Sequence, residues 1–252
     1  MNIKIPDNFR GIPLEGAIER ALAKQKIPIP NGKGPISSGK VNISDNPDFW
    51  RVEGVEYKNG IYTVDLAKSL LDNGTSKTQD QWIEYSKQAV ARNSFYTGDF
   101  QIYHSLFTAL YKNRDSGKKE TEEAREFLKN QFRQKYPLSL TRIIYNSKGI
   151  DKIIHSKGMP DEFSFDIDFI GVDEYVKDTQ TPLVYKALLG SDNIQEINEV
   201  YNWITEKNPY LYRLNSRPNN IDERVAWFDA GSDGASLSCI WDPLISDSAL
   251  GV

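Results

Sequence analysis

The sequence predicts an α+β domain in which mixed and antiparallel strands are flanked by helices. Two observations lead to this class: β-prone runs meet at a Lys58-Asn59-Gly60 turn, and stretches with helical apolar spacing occur elsewhere in the chain. The chain has 252 residues, of which 39% are hydrophobic and 26% are charged, an ordinary globular composition. A chain of this length buries enough surface to fold without disulfide bonds.

Residues 1–45 are predicted to form an N-terminal arm and linker that packs on a main domain of residues 46–252. Within the arm, helical spacing over residues 14–26 precedes a loop rich in Pro, Gly and Ser over residues 28–40. The main domain is expected to open with a β-hairpin over residues 49–64. Thr78 and Gln81 then form a capping-box pair, which predicts a helix that continues to about Val90.

The remaining elements follow from periodicity and residue type. Helical spacing predicts helices over residues 100–111, 120–133 and 193–205. Enrichment in β-branched and aromatic residues predicts strands over residues 138–145, 163–170 and 210–214. In the strand at 163–170, alternation is expected to place Phe165, Ile167 and Phe169 inside and the intervening aspartates in solvent.

Composition also excludes several functional classes. The single cysteine, Cys239, rules out an internal disulfide bond, and two histidines cannot form a three-histidine zinc site. The formal net charge of −4 gives no electrostatic footprint for nucleic acid. No apolar run approaches a membrane span, and the N-terminus lacks the apolar core of a signal peptide. We therefore expect no cofactor, no metal, no nucleic-acid partner and no membrane span. The location stays unknown, with cytoplasmic or virion-associated as the default.

The last segment, residues 225–252, differs in composition from the rest of the chain. It contains no Lys, Arg or Glu and is rich in Ser, Gly, Asp, Ala and Trp, a mixture typical of binding loops. Around residues 235–239, apolar and polar positions alternate, as on a strand with one buried and one open face. The predicted framework positions, which should be buried, are Ala226, Phe228, Ala230, Ala235, Leu237, Cys239, Pro243 and Leu250.

Three short stretches stand out in and just before this segment: Glu223-Arg224-Val225-Ala226-Trp227-Phe228, Ala235 to Cys239, and Leu250-Gly251-Val252. Together they resemble the variable region of diversity-generating retroelement proteins, in particular their archaeal members. The resemblance covers only this C-terminal segment. It implies a C-type lectin fold, enlarged here by insertions, with a variable region at about residues 225–252. In such proteins a retroelement diversifies the displayed residues by adenine-specific mutagenic retrohoming, while the scaffold stays constant.

The resemblance further implies a protein that is not an enzyme and that binds an unknown protein or other macromolecular ligand. We expect a monomer, with Trp227 and Trp241 as the main anchors, because aromatic residues dominate binding hot spots. The aspartates of the segment should give the binding face a negative potential that favours basic partners. The predicted variable, ligand-binding positions are Trp227, Asp229, Gly231, Asp233, Gly234, Ser236, Ser238, Ile240, Trp241, Asp242, Leu244, Ile245 and Asp247.

Other interpretations stay open. Asp166, Asp168 and Asp173 are candidate oxygen ligands for a divalent ion, which would make the chain a metal-assisted hydrolase. The chain is also a candidate structural protein of a virus or mobile element, and its last segment a candidate surface meander that closes the sheet. His104 and His155 are interpreted as packed or surface residues rather than general bases, because no Ser or Cys nucleophile motif accompanies them.

Overall fold

The hairpin that the sequence predicts is part of a three-stranded sheet near the start of the described chain. The computed structural model describes residues 8–9, 12–13, 41–230 and 234–252. Strands β1 (Asn8–Phe9) and β2 (Ile12–Pro13) form a short antiparallel pair. Strands β3 (Asn42–Asp45), β4 (Phe49–Tyr57) and β5 (Gly60–Ala67) form an antiparallel sheet, with Lys58 and Asn59 in the β4–β5 turn. The helix predicted at 14–26 and the loop predicted at 28–40 lie outside the described residues.

Five α-helices are described, and side-chain caps fix several of their starts. Thr78 makes the predicted capping box with Gln81, whose backbone N–H donates to Thr78 Oγ1 at 3.3 Å. Asp99 caps the next helix by accepting the backbone N–H of Ile102 at 2.9 Å. The helices are α1 (Gln79–Ala91), α2 (Phe100–Lys112), α3 (Lys119–Gln134), α4 (Pro182–Leu189) and α5 (Ile194–Thr205), with short 3₁₀ turns at Leu71–Gly74, Arg114–Ser116 and Val176–Asp178.

A seven-stranded sheet forms the centre of the molecule. Its strands are β6 (Leu138–Tyr145), β7 (Asp151–His155), β8 (Phe163–Ile167), β9 (Glu174–Tyr175), β10 (Pro209–Tyr212), β11 (Asp222–Asp229) and β12 (Ala235–Trp241). They lie in the order β8-β7-β6-β11-β12-β10-β9. Every neighbouring pair is antiparallel except β10 and β12, which run parallel. The molecule is therefore a mixed α+β structure with flanking helices, as the sequence predicts at this coarse level.

The main core lies between one face of the seven-stranded sheet and helices α2, α3, α4 and α5, and the three-stranded sheet β3–β5 also contributes to it. Phe228 of β11 sits at its centre. Its ring centroid lies 4.3 Å from that of Phe100, 5.1 Å from Phe132 and 5.5 Å from Phe107, with Tyr103 and Tyr201 also in ring contact. This inner face of the sheet is thus fixed to three helices by aromatic packing.

A second, smaller apolar cluster lies on the opposite face of the sheet, under α1. Trp82 of α1, Leu138 and Leu140 of β6, and Val225 and Trp227 of β11 are all buried in it. Helix α1 therefore covers the outer face of the sheet at β6 and β11, in the middle of the strand order.

One expectation about the sheet needs correction. Phe165 and Phe169 were expected inside, but 37% and 38% of their surfaces are exposed. Strand β8 is an edge strand, so Phe165 has a neighbouring strand, β7, on one side only. Phe169 lies beyond the end of β8 at Ile167. The segment Asn42–Asp45, at the end of the predicted arm, pairs with β4, and Ile43 lies in the main core.

The final residues of the sequence are held by hydrogen bonds to α2 and to the segment before it. The Tyr103 hydroxyl accepts the Gly98 N–H at 2.8 Å and donates to the Leu250 carbonyl at 2.8 Å, inside the core.

We expect Tyr103→Phe to lower the free energy of unfolding by about 1–3 kcal/mol, because it leaves two buried backbone groups without partners. Urea denaturation measures this. Tyr111→Phe, which removes a half-buried hydroxyl bonded to Glu199, is the control, and an equal loss in both variants would contradict the prediction.

Among the described residues, no helix combines the length and the apolar character needed to cross a bilayer.

Candidate ligand-binding face

The two C-terminal strands divide their residues between two faces, as the alternation at 235–239 predicts. Phe228 pairs with Leu237, and both point into the main core together with Cys239. Trp227 pairs with Ser238 and Asp229 with Ser236, and these four residues therefore point to the outer face. One face of the β11–β12 pair therefore lines the core, and the other face points away from it.

The predicted framework set is confirmed by burial. Seven of its eight members are buried and Pro243 is half-buried. Their small or apolar side chains face α2, α3 and α5 or lie in the closing segment that reaches Leu250. The composition that singled out these positions therefore reflects packing against the helices.

The predicted variable positions divide into several classes. Trp241, Asp242, Leu244 and Ile245 are exposed, whereas Asp229, Ile240 and Asp247 are half-buried. Trp227, Gly234, Ser236 and Ser238 are buried, and Gly231 and Asp233 lie outside the described residues. The most exposed of the described set is Leu244, at 80%. The structure therefore brings only part of the set to the surface.

Trp227 needs a specific correction, because it was expected to be an accessible anchor. Its exposed fraction is 4%, since Trp241 lies over it with ring centroids 4.1 Å apart and α1 closes the cluster beside it. Ser236 and Ser238 are likewise too enclosed to count as protruding contacts. The accessible anchor of this pair is Trp241, which is 36% exposed and covers Trp227.

A row of tyrosines from neighbouring strands completes this side of the sheet. Tyr210 pairs with Ser236 and Tyr212 with Ser238 in the parallel β10–β12 ladder, so both tyrosines share the outer face with the serines. Tyr175 of β9 extends the row, with its ring centroid 4.9 Å from that of Tyr210, and Tyr210 lies 4.7 Å from Tyr212. We call the surface made by Tyr175, Tyr210, Tyr212, Ser236, Ser238, Trp227 and Trp241 the aromatic face.

The aromatic face has a definite profile and chemistry. The small serines of β12 lie between the tyrosines of β10 on one side and the β11 residues Trp227 and Asp229 on the other. Burial raises the pKa of Tyr210, so its hydroxyl stays protonated at neutral pH. The face therefore offers aromatic area and neutral hydroxyl groups, a combination that contacts proteins with little loss of side-chain entropy.

A turn beyond β12 projects apolar side chains beside this face. Asp242 Oδ1 accepts the Leu244 N–H at 2.8 Å, and the Asp242 carbonyl accepts the Ile245 N–H at 3.0 Å. An aspartate that bonds its own backbone two residues on, followed by proline, is a standard turn former. This turn holds Leu244 and Ile245 out in solvent. Asp247 lies farther on, where its backbone pairs with Lys77 and burial raises the pKa of its carboxyl group.

The tyrosines of the aromatic face were not among the predicted site residues. Tyr210 and Tyr212 stand two apart in a segment that was predicted as a strand, so the alternation already placed both on one face. The position of that strand beside β12 was not accessible from the sequence, because parallel pairing joins segments distant in the chain.

Of the three aspartates of the hydrolase interpretation, Asp168 is exposed and the other two have partners of their own. Asp166 lies 3.6 Å from Lys152 in an exposed ion pair. Asp173 accepts the Arg213 backbone N–H at 2.5 Å and the Asn215 side chain at 3.0 Å. In the described part of the chain, no group of three or more His, Cys, Asp or Glu side chains is arranged to hold a metal ion.

Both histidines are packed, as the sequence analysis interpreted them. His155 Nδ1 lies 3.0 Å from Thr141 Oγ1, and its Nε2 lies 2.8 Å from the Ala187 carbonyl. His104 is 3% exposed and stacks on Tyr201. Burial lowers the pKa of both rings, to about 3 for His104, so both are neutral at pH 7.

This burial predicts that the protein loses stability on mild acidification. Between the unfolded pKa of about 6.5 and the folded pKa, the unfolded state binds a proton that the folded state does not, so stability falls as the pH is lowered. We expect His104→Phe, which keeps the ring stack, to reduce the loss of unfolding free energy between pH 7 and pH 5 by about 2 kcal/mol. Urea denaturation at both pH values measures it, and an unchanged pH dependence would contradict it.

No family model, curated protein or solved structure matches the chain.

Proposed function

We propose that this protein is a non-catalytic ligand-binding protein whose C-terminal surface is diversified by a retroelement on a constant scaffold of the C-type lectin type. The observation that carries the proposal is the division of β11 and β12 between two faces. Phe228, Leu237 and Cys239 are held in the core, while the intervening positions face outward. A diversified protein needs this division, because residues that change must not be those that hold the fold together.

The chemistry of the outward positions supports the same proposal. Trp241, Leu244 and Ile245 offer apolar area, and Tyr210 and Tyr212 add amphipathic rings. The most exposed apolar side chain here, Leu244, projects from a turn and is 80% exposed. Exposed apolar residues grouped in this way mark interaction surfaces. The partner is expected to be a protein or other macromolecule, because the face is an open sheet surface rather than a deep cleft.

Population sequencing of the 3′ end of the gene tests the proposal directly. Codons 225–250 would be compared with codons 41–220 in the source population. We expect substitutions traceable to adenines at Trp241, Asp242, Leu244 and Ile245 and at the half-buried positions beside them. Codons for Phe228, Leu237 and Cys239 serve as the matched control within the same segment and should not vary. A uniform segment, or variation spread equally over both faces, would contradict the proposal.

A binding experiment tests the face itself. A displayed library of random peptides would be selected against the full chain, and the enriched peptides retested against two variants. We expect Trp241→Ala to abolish binding by most selected peptides. Leu183→Ala, which truncates a 68% exposed leucine at the start of α4, is the control and should leave binding intact. Equal effects of the two variants would show that the face has no special role.

A further inference from the structure

A concave site lies far from the aromatic face, beside the opposite edge of the seven-stranded sheet. A cavity of about 740 Å³ opens between the β4–β5 hairpin, α2, the segment leading into β8, and the start of α5. None of the predicted variable positions that the structure describes lines it. Its volume lies in the range of pockets that bind small molecules.

Two polar side chains on its α2 wall have no hydrogen-bond partner. His104 and Thr108 lie one helical turn apart and both line the cavity. His104 is 3% exposed and Thr108 is 9% exposed, yet neither ring nitrogen nor Thr108 Oγ1 makes a hydrogen bond. Buried polar groups are nearly always paired, so two partnerless groups on one cavity wall indicate a missing partner.

The other buried histidine gives a comparison within the same residue type. Both nitrogens of His155 are paired, with Thr141 and with the Ala187 carbonyl. The fold therefore satisfies the buried imidazole that does not line the cavity and leaves unsatisfied the one that does.

The charges around the cavity indicate what kind of molecule fits. Each charged side chain that lines it lies within 4.0 Å of an opposite charge, and the lining set is Glu56, Lys58, Lys112, Asp161, Glu162, Lys186 and Glu196. Lys112 is shared by Glu56 and Glu196, and each of the three lining lysines lies beside at least one carboxylate, so no lining cation is left over to hold an anionic ligand. The inner wall offers neutral groups: burial keeps the His104 imidazole uncharged, so it presents one donor and one acceptor. Phe165, which is partly exposed, adds an apolar surface at another wall.

We propose that this cavity binds an uncharged small molecule that carries adjacent hydrogen-bond donors and acceptors, through His104 and Thr108. A nucleoside and a neutral sugar share this chemistry. The inference is independent of the proposed function, since it concerns a different surface and a different class of ligand.

Nuclear magnetic resonance of the two imidazole rings tests the proposal in the full chain. Adenosine and maltose would be titrated separately while the ring resonances of His104 and His155 are followed. We expect one of the two probes to shift the His104 resonances saturably, while the His155 resonances, as the internal control, do not move. The probe that shifts the His104 resonances shows whether the ligand is a nucleoside or a neutral sugar. Adenosine 5′-monophosphate should bind no more tightly than adenosine. Tighter binding of the phosphate, or no saturable His104 shift with either probe, would overturn the proposal.

Two variants test whether hydrogen bonds to this wall of the cavity, rather than a general effect of mutating a buried polar residue, determine the affinity for the probe. Thr108→Val and His104→Phe keep shape but remove the partnerless groups, and each should weaken binding of the active probe by roughly tenfold or more. For His104→Phe, the probe's own line broadening reports binding. Thr97→Val is the matched control, because Thr97 is also buried, its hydroxyl also lacks a partner, and it does not line the cavity. Unchanged affinity in Thr108→Val, or equal weakening in Thr97→Val, would also overturn the proposal.

Discussion

Replacing Phe228 by alanine should lower the free energy of unfolding by about 3–5 kcal/mol. The Phe228 side chain is 1% exposed and touches aromatic rings from α2, α3 and α5. Its removal leaves a cavity where the sheet and three helices meet, and rings that are held on all sides cannot collapse into it. Urea denaturation followed by circular dichroism measures the loss.

The control for Phe228 lies in the same C-terminal segment. Leu244 is an apolar residue that is 80% exposed, so Leu244→Ala should change the free energy of unfolding by no more than about 0.5 kcal/mol. Trp227→Ala is expected to behave like the core variant, because Trp227 is buried on the other face of the sheet. Similar losses in Phe228→Ala and Leu244→Ala would contradict the division between scaffold and open surface.

The sequence predicted those elements whose ends are determined by capping or turn residues next to them. The capping box at Thr78 and Gln81 placed the start of α1, and the turn at Asn59-Gly60 placed the β4–β5 hairpin. The strand Leu138–Tyr145 was predicted with its observed bounds because a run of β-branched and aromatic residues stands alone there. In each case a few neighbouring residues determine the outcome.

Elements whose stability depends on distant partners were not predicted. Strand β7 (Asp151–His155) has only two apolar residues, and helix α4 (Pro182–Leu189) is short and apolar at nearly every position, so periodicity gives no clear signal for either. The exposure of Phe165 depends on β8 being an edge strand, which only the strand order reveals. These are tertiary properties that a local pattern does not contain.

The candidate site shows the same division. Alternation at residues 235–239 was enough to separate core positions from outward ones. It could not show that α1 and Trp241 enclose Trp227, nor that Tyr210 and Tyr212 lie beside the serines of β12. Which outward residues reach solvent is decided by neighbours from other parts of the chain.

Loss of the buried Arg213 side chain should be nearly as damaging as loss of Phe228. Its guanidinium group is 1% exposed and lies 3.0 Å from Glu174, while its Nη1 donates to the Ile170 carbonyl at 2.7 Å. Arg213 directly follows β10 and Glu174 belongs to β9, so the pair holds the edge that carries Tyr175, Tyr210 and Tyr212. We expect Arg213→Ala to cost about 3–5 kcal/mol, because it leaves the Glu174 carboxylate enclosed without its cation.

A surface ion pair of similar geometry is the matched control. Arg51 contacts Asp65 through two hydrogen bonds of 2.8 Å, but its side chain is 44% exposed. Arg51→Ala should therefore cost no more than about 1 kcal/mol. The double variant Arg213→Met with Glu174→Gln should recover part of the loss, since it removes both buried charges together. If Arg213→Ala cost no more than Arg51→Ala, the pair would not be what holds the tyrosine edge in place, and the aromatic face would need another support.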